Sequence, residues 1–170
     1  MQNDLVSLVK MNNYTTVFIK TPLGVCKITG SAIGVSEISI LDDEVPISEV
    51  IPKVLQNCVL QLQEYFEGSR KEFQLNFDLK GTDFQKQVWK SLLQIPYGST
   101  TTYLKQTRLL GDEKAIRAVA SANGKNPIWV ILPCHRVVGS DGSLTGYAGG
   151  IWRKKWLLEH EQGCEQQRLF

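Results

Sequence analysis

Val130-Ile131-Leu132-Pro133-Cys134-His135-Arg136-Val137-Val138 sets a cysteine and an imidazole between two aliphatic runs. The flanks are sequence that a core buries. Pro133 removes a backbone donor and fixes φ, so regular structure is expected to break where the thiol appears. Cysteine is a strong nucleophile only as thiolate, and a nearby imidazole favours that form. A cysteine in an aliphatic run is, on its own, more often an inert core residue. The His-Arg dipeptide argues the other way, because a buried imidazole or guanidinium has to be paired.

Downstream, Gly139-Ser140-Asp141-Gly142-Ser143 is a turn, and Gly146-Tyr147-Ala148-Gly149-Gly150 is a loop able to wall a pocket. Trp152 to His160 is a final helix with Trp152, Trp156 and Leu157 expected to face inward. Glu161 closes it, the tail from Gln162 is frayed, and Cys164 is a bystander. Upstream, Thr82-Asp83-Phe84-Gln85 has capping-box spacing, and Val88, Trp89, Leu92 and Leu93 continue a helix that Pro96-Tyr97-Gly98 stops. A short helix near Tyr103–Leu109, a break at Gly111-Asp112 and a helix from Glu113 to about Ala122 outline a helix-turn-helix, although two packed core helices share that pattern. Alanines 115, 118, 120 and 122 leave Arg117 as a lone long cation. Small residues allow close approach to another surface, and Lys105, Arg108, Lys114 and Lys125 are placed to meet phosphates.

The first half contains no evident site. Tyr14–Lys20, Val25–Thr29 and Gly34–Ile40 read as an antiparallel meander with glycine-containing turns. From Ser48 to Phe66 the period becomes helical, with Ile51, Val54, Leu55, Cys58, Leu62, Tyr65 and Phe66 on one face and Pro52 in the first turn. Phe73, Leu75, Phe77 and Leu79 alternate as a half-buried strand. Lys80-Gly81 is the boundary, giving a scaffold over 1–80 and a second domain over 82–170.

Composition sets outer limits. At 170 residues, 42% of them hydrophobic, the chain holds one medium domain or two small ones. No apolar run has bilayer length, and Met1-Gln2-Asn3-Asp4 is not the start of a secretion signal. The four cysteines form no Cys-x-x-Cys pair and there are only two histidines, so neither a metal nor a cofactor is expected. Free thiols fit a reduced compartment, the cytoplasm (or the nucleus in a eukaryote). Residues 1–81 carry 7 Lys/Arg against 10 Asp/Glu, a net −3, and residues 82–170 carry 12 against 7, a net +5. The basic surplus turns the second half toward an anion such as nucleic acid.

Pro96-Tyr97-Gly98 with Thr102-Tyr103, Arg117-Ala118-Val119, Asn126-Pro127, Pro133 to Val137, Gly146-Tyr147, and Trp156-Leu157-Leu158 with His160-Glu161 occur in one order and spacing. That set resembles the O6-alkylguanine-DNA alkyltransferases, which move an alkyl group from a DNA base to their own cysteine. The resemblance covers about residues 82–161 and implies an α/β (α+β) fold: a ribonuclease-H-like α/β domain followed by a mostly helical winged helix-turn-helix domain. By position it makes Cys134 the acceptor, His135 its base acting through a water, Glu161 the carboxylate that holds His135, and Asn126 a brace for the turn. Adjacent residues of an extended segment point to opposite faces, so a direct Cys134–His135 bond is not expected. The partner implied is double-stranded DNA carrying O6-alkylguanine, and by extension O4-alkylthymine, bound through its minor groove by a monomer. Arg117 would fill the stack left by the flipped base, with Ala118, Ala122 and Lys125 on the DNA face. Tyr103, Val137, Tyr147 and Ala148 would line the base pocket. The thioether product is no leaving group, so one chain repairs one lesion.

Two positions depart from the family pattern. Ala120 stands where many relatives carry glycine, and Ala148 is a small residue consistent with larger alkyl groups. Three other readings compete. A cysteine hydrolase would need an oxyanion hole that nothing marks, and a transcription regulator would need an effector domain. An alkyltransferase-like binding module would lack the acceptor cysteine that this chain has.

Overall fold

The computed structural model describes residues 13–163; the expectations for Met1–Asp4 and Cys164 lie outside them. Strands β1 (Thr15–Thr21), β2 (Gly24–Gly30) and β3 (Val35–Leu41) form the expected antiparallel meander in the order β1-β2-β3. Their inward residues alternate, with Val17, Ile19, Cys26, Ile28, Ile38 and Ile40 buried. Helix α1 (Lys53–Glu67) packs on this sheet through Leu55, Cys58, Leu62 and Tyr65.

Helix α1 starts later than the periodicity implies. Pro52 takes the N-cap. Ser48 is instead tied to the β1 edge, its N–H donating to the Phe18 carbonyl at 2.9 Å and its hydroxyl accepting from the Phe18 N–H at 2.9 Å. Val54, one residue round the helix from Leu55 and so at the edge of the buried stripe, is exposed. The alternating segment 73–79 is extended but is not a strand: it meets β3 only at the Val35–Phe77 bridge. Its remaining backbone needs are met in part by a side chain. The buried Gln61 amide accepts from the Gln74 N–H at 2.8 Å and donates to the Gln74 carbonyl at 3.1 Å, doing the work of a neighbouring strand.

Helix α2 (Asp83–Leu92) opens with the anticipated capping box. The Gln85 N–H donates to Thr82 Oγ1 at 3.1 Å and the Thr82 N–H to Gln85 Oε1 at 3.0 Å. Gly81 at the boundary is sterically required, since a Cβ there would lie 2.6 Å from the Trp89 ring. Leu93, expected on the buried stripe, is exposed just beyond the helix. Strand β4 (Thr101–Thr102) leads into α3 (Tyr103–Leu109). A single 3₁₀ turn (Glu113–Ala115), capped by Asp112, then feeds α4 (Ile116–Gly124). Gln106 and Asn123 exchange two buried amide hydrogen bonds, at 2.7 and 3.2 Å, and fix the angle between α3 and α4. Trp89 Nε1 donates to the Ala122 carbonyl at 2.8 Å and joins α2 to the pair.

The segment after α4 crosses back to the first half. Ile38 donates to the Pro127 carbonyl at 2.8 Å and accepts from the Trp129 N–H at 3.0 Å, so residues 127–129 extend the β3 edge. β5 (Val137–Val138) pairs in parallel with β4. Helix α5 (Ile151–Gln162) closes the structure, but turned relative to expectation: Trp152 is 55% exposed. The buried stripe is Arg153, Lys154, Leu157, Leu158 and Glu161, and the Arg153 guanidinium lies over the Trp152 ring at 4.7 Å. Arg153 is tolerated inside because it donates to the Leu23 and Gly149 carbonyls and pairs with Asp42 at 2.8 Å.

One apolar cluster therefore runs from Val17 and Leu62 through Trp89 to Leu132 and Leu157, with residues of both halves in it. The two halves should unfold together. All four tryptophans lie beyond residue 81 and report on the second half and its seam with the first, whereas backbone circular dichroism reports on both halves throughout. Denaturant curves from the two signals are expected to superimpose; separated midpoints would show that the halves are independent.

Candidate active site

Cys134 lies at the start of a 3₁₀ turn, Cys134–Arg136, that follows Pro133. The break in regular structure is where the proline placed it, but the turn replaces the extended geometry expected for Cys134 and His135. The approach is tightly wound: Leu132 N–H donates to the Ile128 carbonyl at 3.0 Å and Cys134 N–H to the Leu132 carbonyl at 2.8 Å. Val130 sits at φ +72°, a strained backbone for a β-branched residue.

Asn126 braces this loop with both polar atoms of its side chain. Its Nδ2 donates to the Leu132 carbonyl at 2.7 Å and to Cys134 Sγ at 3.2 Å, and its Oδ1 accepts from the Ile128 N–H at 2.9 Å. The bond to sulfur favours thiolate. Burial acts against it and is the larger effect, so the thiol sits above its ordinary pKa in spite of Asn126 and the nearby Lys154 charge. At rest Cys134 is a protonated thiol, only 8% exposed.

His135 is fully buried, and its Nε2 lies 2.7 Å from Glu161 Oε1. Arg136 grips the same carboxylate with two bonds, Nε to Oε2 and a terminal nitrogen to Oε1, both 2.9 Å; its remaining guanidinium nitrogen donates to the Ile95 carbonyl at 2.7 Å. Burial alone would raise the Glu161 carboxyl. Hydrogen bonds from His135 and Arg136, with the Arg136 charge, outweigh it and hold the group well below the usual carboxylate range. Burial pushes His135 down, against the pull of Glu161. Glu161 is thus an anion whose permanent counter-charge is Arg136, and His135 is a neutral imidazole. An ionised carboxylate only accepts, so Nε2 carries the proton and Nδ1 keeps a lone pair. Nδ1 is buried and has no hydrogen-bond partner among the described residues.

Three contributors were not anticipated. Tyr65 of α1 donates to Glu161 Oε1 at 2.7 Å, so the first half does reach the site. Lys154 is fully buried, donates to the Thr145 carbonyl at 2.8 Å and lies 5.7 Å from the centre of the Tyr103 ring. Arg136 was visible only as a charge needing a partner, and Glu161 is that partner.

On the neighbouring face, Tyr103, Ile116, Arg117, Ala120, Thr145 and Gly146 line a cleft of about 380 Å³. Tyr103 is half-buried and donates to the Thr145 carbonyl at 3.1 Å. Arg117, Ala118, Ala120, Ser121 and Lys125 are exposed on one side of α4, and Lys105 and Lys114 are exposed as well. Ala122 does not belong to that face: it is 2% exposed, packed with Val88 and Val119. Helical periodicity turns position 122 inward, and among alanines no hydropathy contrast revealed it. Arg108 is held in an ion pair with Glu113 at 2.6 Å and is not a free cation. Val137 and Tyr147 are buried, the Tyr147 hydroxyl without a partner among the described residues, and Ala148 is exposed at the loop surface.

A buried thiol braced by an amide, a neutral imidazole oriented by an ionised carboxylate, and an exposed small-residue helix beside them define an acceptor-thiol protein with a helix-turn-helix. Residues 14–79 match the family model for the 6-O-methylguanine DNA methyltransferase ribonuclease-like domain, and residues 83–163 match that for its DNA binding domain. The methylated-DNA–protein-cysteine methyltransferase of Mycobacterium tuberculosis is 44% identical over 156 residues, covering 89% of this chain and 93% of the relative. That of Methanosarcina barkeri is 42% identical over 149 residues, covering 85% and 94%. A crystal structure of Mycobacterium tuberculosis OGT in complex with DNA superimposes with a TM-score of 0.78 at 44% identity, covering 88% of this chain and 93% of that one. The chain belongs to the 6-O-methylguanine DNA methyltransferase family.

The depressed Glu161 pKa has a sign for stability. A carboxylate ionised more easily when folded contributes above the ordinary carboxylate range, and that contribution is lost as pH falls below it. Stability measured against falling pH is expected to drop less steeply in Glu161→Gln than in the unaltered protein. Arg136→Met strands the buried anion and is expected to cost about 3–5 kcal/mol in denaturant unfolding. A loss under about 1 kcal/mol would mean that the pair is not the counter-charge described.

Proposed function

We propose that this protein repairs DNA by transferring the alkyl group of O6-alkylguanine, and by extension O4-alkylthymine, to Cys134, once per chain and irreversibly. The observation that carries the reading is the acceptor arrangement itself: Cys134, bonded to Asn126, lies next to a His135 whose Nε2–H is committed to Glu161. A protein that only bound the lesion would have no use for it. A shielded neutral thiol is also protected from oxidation until a substrate arrives.

His135 Nδ1 takes the thiol proton, through one water as the family resemblance implies, and Glu161 stabilises the imidazolium that forms. Asn126 and the Lys154 charge favour the thiolate. Sulfur then forms a bond to the alkyl carbon as the bond from that carbon to O6 breaks. The electron pair stays on guanine, which takes up one proton and returns to its ordinary keto form. The thioether has no route back.

The base must leave the duplex to reach the thiol. The exposed face of α4, with Ala118, Ala120 and Ser121 around Arg117, suits close approach to the minor groove of double-stranded DNA. There Arg117 fills the vacated stack and Lys125 meets phosphate. Tyr103 at the mouth of the cleft contacts the base. The resemblance assigns Val137, Tyr147 and Ala148 to the base pocket, the first two buried and Ala148 exposed on its loop.

Mass spectrometry after mixing with excess duplex containing O6-methylguanine tests the transfer directly. One added methyl per chain, on Cys134 and absent in Cys134→Ala, is expected; tight binding without a mass change would leave a binding module. Arg117→Ala is expected to slow transfer from duplex by at least about tenfold, since unstacking costs a few kcal/mol. Transfer from the free alkylated base should be unaffected.

A further inference from the structure

We infer that Tyr65 is a positioning residue for the transfer. Its phenol, bonded to the same carboxylate oxygen as His135, limits how strongly Glu161 draws a proton onto the imidazole. The inference rests on the reading of His135 as the base.

Glu161 Oε1 accepts from three donors: Tyr65 at 2.7 Å, His135 at 2.7 Å and Arg136 at 2.9 Å. A hydrogen bond to an anion draws charge from the atom that accepts it. Each donor therefore makes Oε1 a weaker partner for the other two. Arg136 is a fixed cation and His135 changes charge during the reaction. Tyr65 is the neutral donor that moderates the oxygen between them.

Core packing accounts for the Tyr65 ring but not for its hydroxyl. The ring is fully buried, edge-on to Phe66 at 5.3 Å, to His160 at 5.3 Å and to Tyr97 at 6.2 Å, and tilted against Phe73 at 5.5 Å. Phenylalanine would fill the same cage. Burial and then the Glu161 charge hold the phenol well above its usual range, so it remains a donor. The segment is fixed from a second side, where His160 Nε2 lies 2.7 Å from the Tyr65 carbonyl. The charged and titratable groups facing His135 and Glu161 are Arg136, Tyr65, Tyr97, Tyr147 and Lys154, from α1, the loop after α2, the 3₁₀ turn, the loop before α5 and α5 itself. Of these, only Tyr65 and Arg136 touch the Glu161 carboxylate.

Tyr65→Phe removes the hydroxyl and keeps the ring. The test is the single-turnover rate constant for methyl transfer from O6-methylguanine duplex, followed across the imidazole titration range. A rate constant does not depend on what fraction of the preparation is folded. In the unaltered protein the rate should fall only below the ordinary imidazole pKa, because burial holds His135 down. Without the Tyr65 bond Oε1 regains charge and the imidazolium is favoured. The acid limb should then move up by about one pH unit, with the alkaline plateau kept within about twofold. In a Glu161→Gln background Tyr65→Phe should produce no shift. An unmoved midpoint, or a lowered plateau without a shift, would make Tyr65 a packing residue and overturn the inference. Absence of any transfer by the unaltered protein would instead overturn the functional reading itself.

Discussion

The ionised carboxylate of Glu161, fully out of water, is the interaction on which this structure turns. A bare carboxylate in that position would be too costly to keep, so the fold has to bring donors to it from separate places. Arg136 supplies the permanent charge, His135 the Nε2–H bond of a neutral imidazole, and Tyr65 a neutral bond from 96 residues away in sequence. Helix α5 places the acid, the 3₁₀ turn places the two bases, and α1 has to pack against both. The sheet, α1 and the crossing at Ile38 exist in the arrangement that lets these three meet.

The same constraint explains the state of the Cys134 thiol. Glu161 fixes the tautomer of His135, and that leaves the Nδ1 lone pair as the only site on the ring able to take a proton. Cys134 stays protonated because burial outweighs Asn126 and Lys154. The site thus holds its reactivity as a proton waiting to be moved, not as a standing thiolate. Val130, strained at φ +72°, belongs to the tight winding that brings Asn126 and Cys134 within 3.2 Å.

Much of this was legible in the sequence where hydropathy contrast is strong. The meander, the α1 stripe through Leu55, Cys58 and Leu62, and the Thr82–Gln85 capping box all follow from local patterns, and Pro133 marked the break at the thiol. What escaped has a common cause. Arg153 and Lys154 start the buried stripe of α5, so the stripe looked polar and Trp152 was assigned inward in their place. Ala122 and Ala118 cannot be told apart by hydropathy, although one faces the core and the other faces out. Tyr65 sat correctly on an apolar stripe, which concealed that its hydroxyl had a destination. Gln61 shows the same effect in reverse: a polar side chain is buried because it completes the backbone bonding of an extended segment that the alternation alone labelled a strand.

Separate family models match the two halves, yet the halves share one carboxylate and one core. That sharing limits how such a chain can be inherited. A recombination event near Gly81 that paired this second half with a first half from elsewhere would have to deliver a phenol at position 65, an acceptor for Arg153 at position 42 and a β3 edge able to take residues 127–129. The boundary in the sequence is therefore a seam between two patterns of folding and not a point at which the molecule can be cut and rejoined. Substitutions in the sheet or in α1 reach the Glu161 carboxylate through Tyr65 and the shared core.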